Sequence, residues 1–110
     1  MTVLPGAHSA IVEPSKLTDY CLSEADPRGR HKARVFRNAL GVGAADAEWL
    51  RRTLIEGVAV AVAIEIAADA YGSRWRADIP VTRQNRRSVV RTVRLVRDGE
   101  PPRFLTCWVL

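Results

Sequence analysis

Two hydrophobic periods divide the chain. From residue 14 to about residue 57, apolar side chains recur every three or four positions, the spacing of a helix with one buried face. Beyond residue 70 they alternate, the spacing of a half-buried strand. Pro14 and Ser15 suit a helix start, with Leu17, Tyr20 and Cys21 following at helical spacing. Asp26-Pro27-Arg28-Gly29 predicts a turn, because proline fixes one backbone angle and glycine frees another. A second helix is predicted from about Arg30 to Leu40, with Val35, Phe36, Ala39 and Leu40 as its buried stripe and Gly41 and Gly43 to stop it. A third begins near Ala45, turns Trp49, Leu50, Leu54 and Val58 inward, and has Gly57 as its candidate end. Residues 1–13 read as an extended leader with one short apolar piece, Ala10-Ile11-Val12.

The stretch 58–67 sits between the two periods. Val58, Val60, Val62, Ile64 and Ile66 alternate with Ala59, Ala61, Ala63, Glu65 and Ala67, which favours a strand; alanine and glutamate keep a helix running on to about Ala68 as the competitor. Trp75, Ala77 and Ile79 alternate with Arg74, Arg76 and Asp78 in a half-buried strand, and Pro80 to Arg86 reads as a connection. A long β-branched strand is predicted over Ser88–Arg97, a turn at Asp98-Gly99-Glu100-Pro101-Pro102, and a closing strand over Arg103–Leu110. Helices first and strands after predict one α+β domain over 1–110. In it about three N-terminal helices pack on one face of a three- to four-stranded antiparallel sheet.

Charge changes this picture more than composition does. Residues 1–69 hold eight Lys/Arg against nine Asp/Glu, whereas residues 70–110 hold nine Arg against three acids, so the net charge of +5 lies in the predicted sheet. Of the 17 basic residues only Lys16 and Lys32 are lysine, and arginine presents the planar fork that pairs with phosphate two-pronged and stacks on bases. A polyanion or an acidic protein is the implied partner. Cys21 and Cys107 make neither a disulfide framework nor a metal spacing and read as small buried hydrophobes. Pro5 and Gly6 interrupt the apolar run that a signal peptide needs, and Val58–Ile64 is too short to span a bilayer. The expectation is a soluble cytoplasmic protein with no membrane partner.

The densest chemistry lies at the start of the second helix, where Arg28, Arg30, His31, Lys32, Arg34 and Arg37 fall within ten residues. A helix start already favours anions, and an imidazole in that field, able when neutral to accept a proton, makes His31 the candidate base. In the long strand Arg91 interrupts an apolar row; the choice is between a stem packed on the sheet with its head in water and a guanidinium aimed at a phosphate near the His31 helix. Thr92 beside it and Thr106 in the last strand offer hydroxyls to the same phosphate. Tyr71, next to Gly72, is the best candidate to stack on a base, ahead of Trp75 and Trp108, which read as core. Arg28, Arg30, Arg83 and Arg94 extend the RNA-binding surface. No metal ligand set, phosphate-binding glycine loop or nucleophile-elbow serine is present, so no metal and no cofactor is expected.

Lys16-Leu17-Thr18-Asp19-Tyr20-Cys21-Leu22, Asp26-Pro27-Arg28-Gly29-Arg30-His31-Lys32-Ala33-Arg34-Val35-Phe36 and Ala39-Leu40-Gly41 together resemble an uncharacterised family of small bacterial domains. Tyr71-Gly72, Arg91-Thr92 and the ending Pro102-Arg103-Phe104-Leu105-Thr106-Cys107-Trp108, one residue longer than the family's, carry the same resemblance, which covers about residues 11–110. Arg94 stands where the family has an aromatic and is expected to enlarge the basic surface; 58–68 is apolar where the family has a Pro/Gly loop. The resemblance implies a small SH3-like antitoxin or immunity partner and toxin-like settings. Its helices-then-sheet layout is similar to that of the metal-independent ribonucleases, which include barnase, the EndoU enzymes, ribonuclease colicins and RelE-like toxins. The function expected is therefore a toxin-like endoribonuclease using His31, Lys32, Arg34, Arg91, Thr92 and Thr106, with the imidazole of His31 and the guanidinium of Arg91 converging on one anion pocket. The alternatives are a non-catalytic protein-interaction module and a passive RNA-binding domain on the basic sheet.

Overall fold

A computed structural model describes residues 2–110. Helix α1 (Pro14–Lys16) runs directly into a π-helical turn, Leu17–Cys21, and is followed by α2 (Arg30–Leu40) and α3 (Ala47–Val58). Four strands come next, β1 (Ala63–Asp69), β2 (Gly72–Arg83), β3 (Arg86–Val96) and β4 (Arg103–Val109), paired antiparallel in the order β1-β2-β3-β4. α2 lies on β3 and β4 and α3 on β2, so the helices cover one face of the sheet in an α+β architecture. Phe36 and Leu40 of α2 and Leu50, Leu54 and Val58 of α3 meet Ile79, Val81, Val90, Phe104 and Cys107 in one core. Each large apolar side chain fully buried there contributes roughly 1.5–3 kcal/mol.

Three departures from the sequence reading have local causes. The leader is not loose. Leu4 and Val12 are buried, the Ala63 N–H donates to Thr2 O at 2.7 Å, and Ile11 bridges Arg103 beside β4. In 58–67 the strand reading holds from Ala63 onward and the helix extension to about Ala68 does not: α3 ends at Val58, one residue past Gly57, and the chain then turns into β1. The faces are inverted, however: Ala61 and Ala63 point inward, while Val60 is 81 % exposed, Ile64 48 % and Ile66 49 %. α3 crosses β2 so closely at Gly57 that a Cβ there would collide with Ile79.

The connection expected over Pro80 to Arg86 is instead the tip of a long hairpin. β2 continues to Arg83 and turns back at Gln84-Asn85, with Gln84 at φ 55°. Pro80 is tolerated because β1 pairs with β2 only as far as Ala77. At Pro80 the flank away from β3 has no ladder to join, and the missing N–H costs nothing.

Candidate functional site

The site forms where the π-helical turn, the start of α2 and β4 meet. Gly29 brings the first two together: a Cβ at this position would collide with the Tyr20 carbonyl oxygen, so only glycine lets α2 begin against that turn. Asp26 Oδ1 accepts from the N–H groups of Arg28 at 2.7 Å and Gly29 at 3.0 Å and fixes the approach. The first turn of α2 contains no acid, and Arg30, His31 and Lys32 occupy it instead. Cations at a helix N-terminus oppose its dipole, by about 0.3–1 kcal/mol each at exposed positions. That arrangement favours an anionic ligand over stability.

Lys32 is the centre. Its half-buried Nζ donates to Tyr20 OH at 2.9 Å and to Thr106 Oγ1 at 3.2 Å. It also lies 4.8 Å from the centre of the Tyr20 ring and 5.4 Å from that of Trp108. An ammonium has donors only, so the Thr106 oxygen accepts from it, and the threonine's own hydrogen is left for Cys21 Sγ at 3.6 Å. The relay Lys32–Thr106–Cys21 links the surface to the interior. Beside it His31 is exposed and, with Lys32, Val35, Trp108 and Val109, lines an open depression of about 350 Å³. On the other flank Tyr20, Arg28 and Thr106 lie along a polar groove of about 530 Å³, where the Arg28 guanidinium stands 5.9 Å from the Tyr20 ring.

His31, Lys32 and Thr106 of the expected catalytic set therefore come together, with Arg28 close by. Arg30 and Arg34 are exposed on α2. The expected pocket shared by His31 and Arg91 is not formed. Arg91 turns across the sheet to β2, where Nε and Nη2 bind Asp78 Oδ1 and Oδ2 at 2.9 and 3.0 Å. Each partner holds the other's charge: Arg91 lowers the Asp78 pKa, and Asp78 raises that of Arg91.

Four further assignments are corrected. Thr92 is buried and its hydroxyl donates to Ala77 O at 2.8 Å, so it serves the sheet and reaches no ligand. Arg94 is 0 % exposed on the inner face and adds nothing to the basic surface. Arg83 is paired with Asp46 at 2.9 Å and stacked 4.9 Å from the Trp49 ring centre, pinning the β2–β3 hairpin to α3. Tyr71 is 75 % exposed as expected, but it lies in the β1–β2 turn at the far end of the sheet. There the neighbouring residues pair with Val96, five positions along β3 from the partner of Trp108.

Tyr20, Trp108 and Cys21 were missed as site residues. Their signal was present in the Lys16–Leu22 and Pro102–Trp108 stretches that carried the family resemblance, but their apolar bodies fit a core equally well. Among the described residues no group of His, Cys, Asp or Glu is placed to hold a metal ion, and no helix is long and apolar enough to cross a membrane.

With this geometry in place, comparison with known proteins gives one family. A family model described as a domain of unknown function, DUF6883, matches residues 3–110, and the chain belongs to that family. No curated protein and no solved structure matches it.

Proposed function

We propose that the cleft around Lys32 binds an RNA phosphodiester and cleaves it without a metal, as a toxin-like endoribonuclease. The observation that carries this reading is the Lys32 ammonium, clamped by Tyr20 and Thr106 between two aromatic rings, with a free imidazole on the rim. In the reaction the RNA 2′-hydroxyl attacks the adjacent phosphorus. His31 takes the 2′-hydroxyl proton, and Lys32, with Arg28 on its flank, balances the charge that gathers on the phosphorane oxygens. The Tyr20 hydroxyl, whose oxygen already accepts from Lys32, supplies a proton to the departing 5′ oxygen. Trp108 offers a face on which a base stacks. The products are a 2′,3′-cyclic phosphate and a 5′-hydroxyl, and DNA, which lacks the attacking group, is left intact. In this reading the chain acts in the cytoplasm and a small partner that covers the cleft neutralises it.

The test is incubation of the pure protein with RNA in EDTA, followed by analysis of the new ends. Cyclic phosphate ends are expected, with rates lowered about 10²–10⁴-fold in His31→Ala and Lys32→Ala. Intact RNA, or cleavage that persists in both variants, defeats the reading.

A second reading, a protein-interaction module, is favoured by a different observation. β1 is an edge strand whose Ile64 and Ile66 are exposed, as is Val62 just before it, with no proline or lysine in the strand to block pairing. RNA left uncut, together with a partner released by Ile66→Lys, would select it.

A further inference from the structure

Arg94 is the largest fully buried side chain among the described residues. It sits on the inner face of β3, in register with Trp75 of β2 and Phe104 of β4, its guanidinium carbon 5.2 Å from the Phe104 ring centre. None of its three guanidinium nitrogens has a hydrogen-bond partner among the described residues. Burial pulls its pKa down only to about 10, so the group stays charged at neutral pH. A cation held out of water in this way needs an anion beside it. No carboxylate pairs with Arg94 among the described residues; the ionisable group that acts on it is the Cys107 thiol.

Cys107 occupies the inner face of β4, and Cys21 comes down on it from the π-helical turn; both are free thiols and fully buried. Cys21 Sγ lies 3.6 Å from the Thr106 hydroxyl oxygen, and hydrogen bonding to the thiol and backbone of Cys107 lowers its pKa, with the Lys32 charge adding to the effect. The Cys107 thiol is the strongest of these influences, and together they bring Cys21 to about 6 against desolvation. Burial and the neighbouring Cys21 push Cys107 well above the ordinary thiol range. Such a pair loses its protons as a unit and holds one of them across neutral pH.

We propose that Cys21 and Cys107 form a buried dithiol whose single negative charge balances Arg94, and that a hydroperoxide closes it to an intramolecular disulfide. The Cys21 thiolate attacks a peroxide oxygen, the O–O bond breaks, and a sulfenic acid forms while the departing hydroxide takes a proton from solvent and leaves as water. The Cys107 sulfur then attacks the sulfenic sulfur; the new S–S bond replaces S–O, and the oxygen leaves as a second water. Overall the singly charged dithiol, one hydrogen peroxide and one proton from solvent give one disulfide and two waters.

The disulfide carries no charge and leaves Arg94 uncompensated. The reduced form is therefore the favoured one, and glutathione-class thiols readily reopen the bond. Closure also removes the thiolate to which Thr106 donates, so oxidation is felt at Lys32.

The experiment treats the native, reduced full chain with hydrogen peroxide and digests it without reductant. A peptide pair joined through Cys21 and Cys107 is expected; over-oxidised thiols without that cross-link, or no reaction, overturn the proposal. Equilibration with glutathione then compares the wild type with Arg94→Met. Removing the charge is expected to favour the disulfide at least tenfold, about 30 mV for a two-electron couple. An unchanged constant overturns the charge-balancing role. Should Arg94→Met fail to fold, thiolate absorbance of the wild type decides: one thiolate per chain at neutral pH, lost in denaturant, is expected, and its absence overturns the proposal.

Discussion

On the outer face of β3, Arg91 meets the Asp78 carboxylate through two hydrogen bonds at 2.9 and 3.0 Å in a half-exposed setting. On the inner face, three residues further on, Arg94 lies among Trp75, Phe104 and Cys107 with no hydrogen bond among the described residues. The outer arginine can exchange its partner for water at small cost, since solvent screens both charges. The inner one cannot, because nothing polar replaces what it loses. The same side chain is thus a surface clasp on one face and, on the other, a demand for a buried anion. The comparison also separates both arginines from the Lys32 cleft, where the basic group keeps room for an outside ligand.

The sharpest way to break this comparison is to remove the buried anion and keep the cation. Cys21→Ala/Cys107→Ala should destabilise the fold by about 3–5 kcal/mol, the usual cost of leaving a buried charge without its partner. Adding Arg94→Met should recover most of that loss, because the demand disappears with the charge. Urea unfolding of the three proteins decides the matter. A triple variant no more stable than the double would mean that the loss is only the cavity left by two sulfurs.

A second test separates the faces by pH. In the fold, hydrogen bonding to Cys107 lowers the Cys21 pKa to about 6 from the ordinary thiol value of 9.0. Between these pH values the unfolded chain keeps both thiol protons and the folded dithiol keeps one, so stability rises with pH, by up to about 1.4 kcal/mol per unit. Above that window the unfolded chain loses both protons while Cys107 retains its own, and stability falls again. The groups facing the pair are Lys32 from α2, Thr106 on β4 and Arg94 on β3. Denaturant midpoints of the wild type across this window should therefore climb, and those of the triple variant should not. Asp78 behaves oppositely in range: its pKa is depressed, so its contribution is present above the unfolded carboxylate value and disappears only in acid.

These two faces also mark where reading the sequence succeeds and where it stops. Helix α2 was legible in its bounds, because Phe36 and Leu40 keep the period and Gly41, at φ 67°, ends it, but Val35 of the expected buried stripe is exposed and Ala33 is buried instead. That β3 is a strand was legible too, from its β-branched run with Arg91 interrupting an apolar row. Which face turns inward was not, because parity is local whereas burial depends on where α2 and α3 land. Pro80 failed for a similar reason: its tolerance depends on β1 stopping at Ala77, a fact about another segment. The Lys32–Thr106 contact spans 74 residues, and the cation-rich helix start was the one part of it visible in advance.

The smallest expected effect is the one that most cleanly tests the outer face. Arg91→Ala breaks a clasp whose two ends are both in reach of water, and Asp78 left alone can be hydrated. The stability loss should be slight, and the double variant Arg91→Ala/Asp78→Ala should lose no more than either single one beyond their separate side-chain contacts. RNA cleavage should also persist in Arg91→Ala, since the guanidinium is turned toward β2 and does not line the depression beside His31. A cleavage defect as deep as that of Lys32→Ala would mean that Arg91 leaves Asp78 when RNA binds and swings back past Trp108, its register neighbour on β4. The Asp78→Ala variant distinguishes the two cases. Freed from its carboxylate, Arg91 should then raise cleavage if it joins the phosphate, and leave cleavage unchanged if the outer face is only structural.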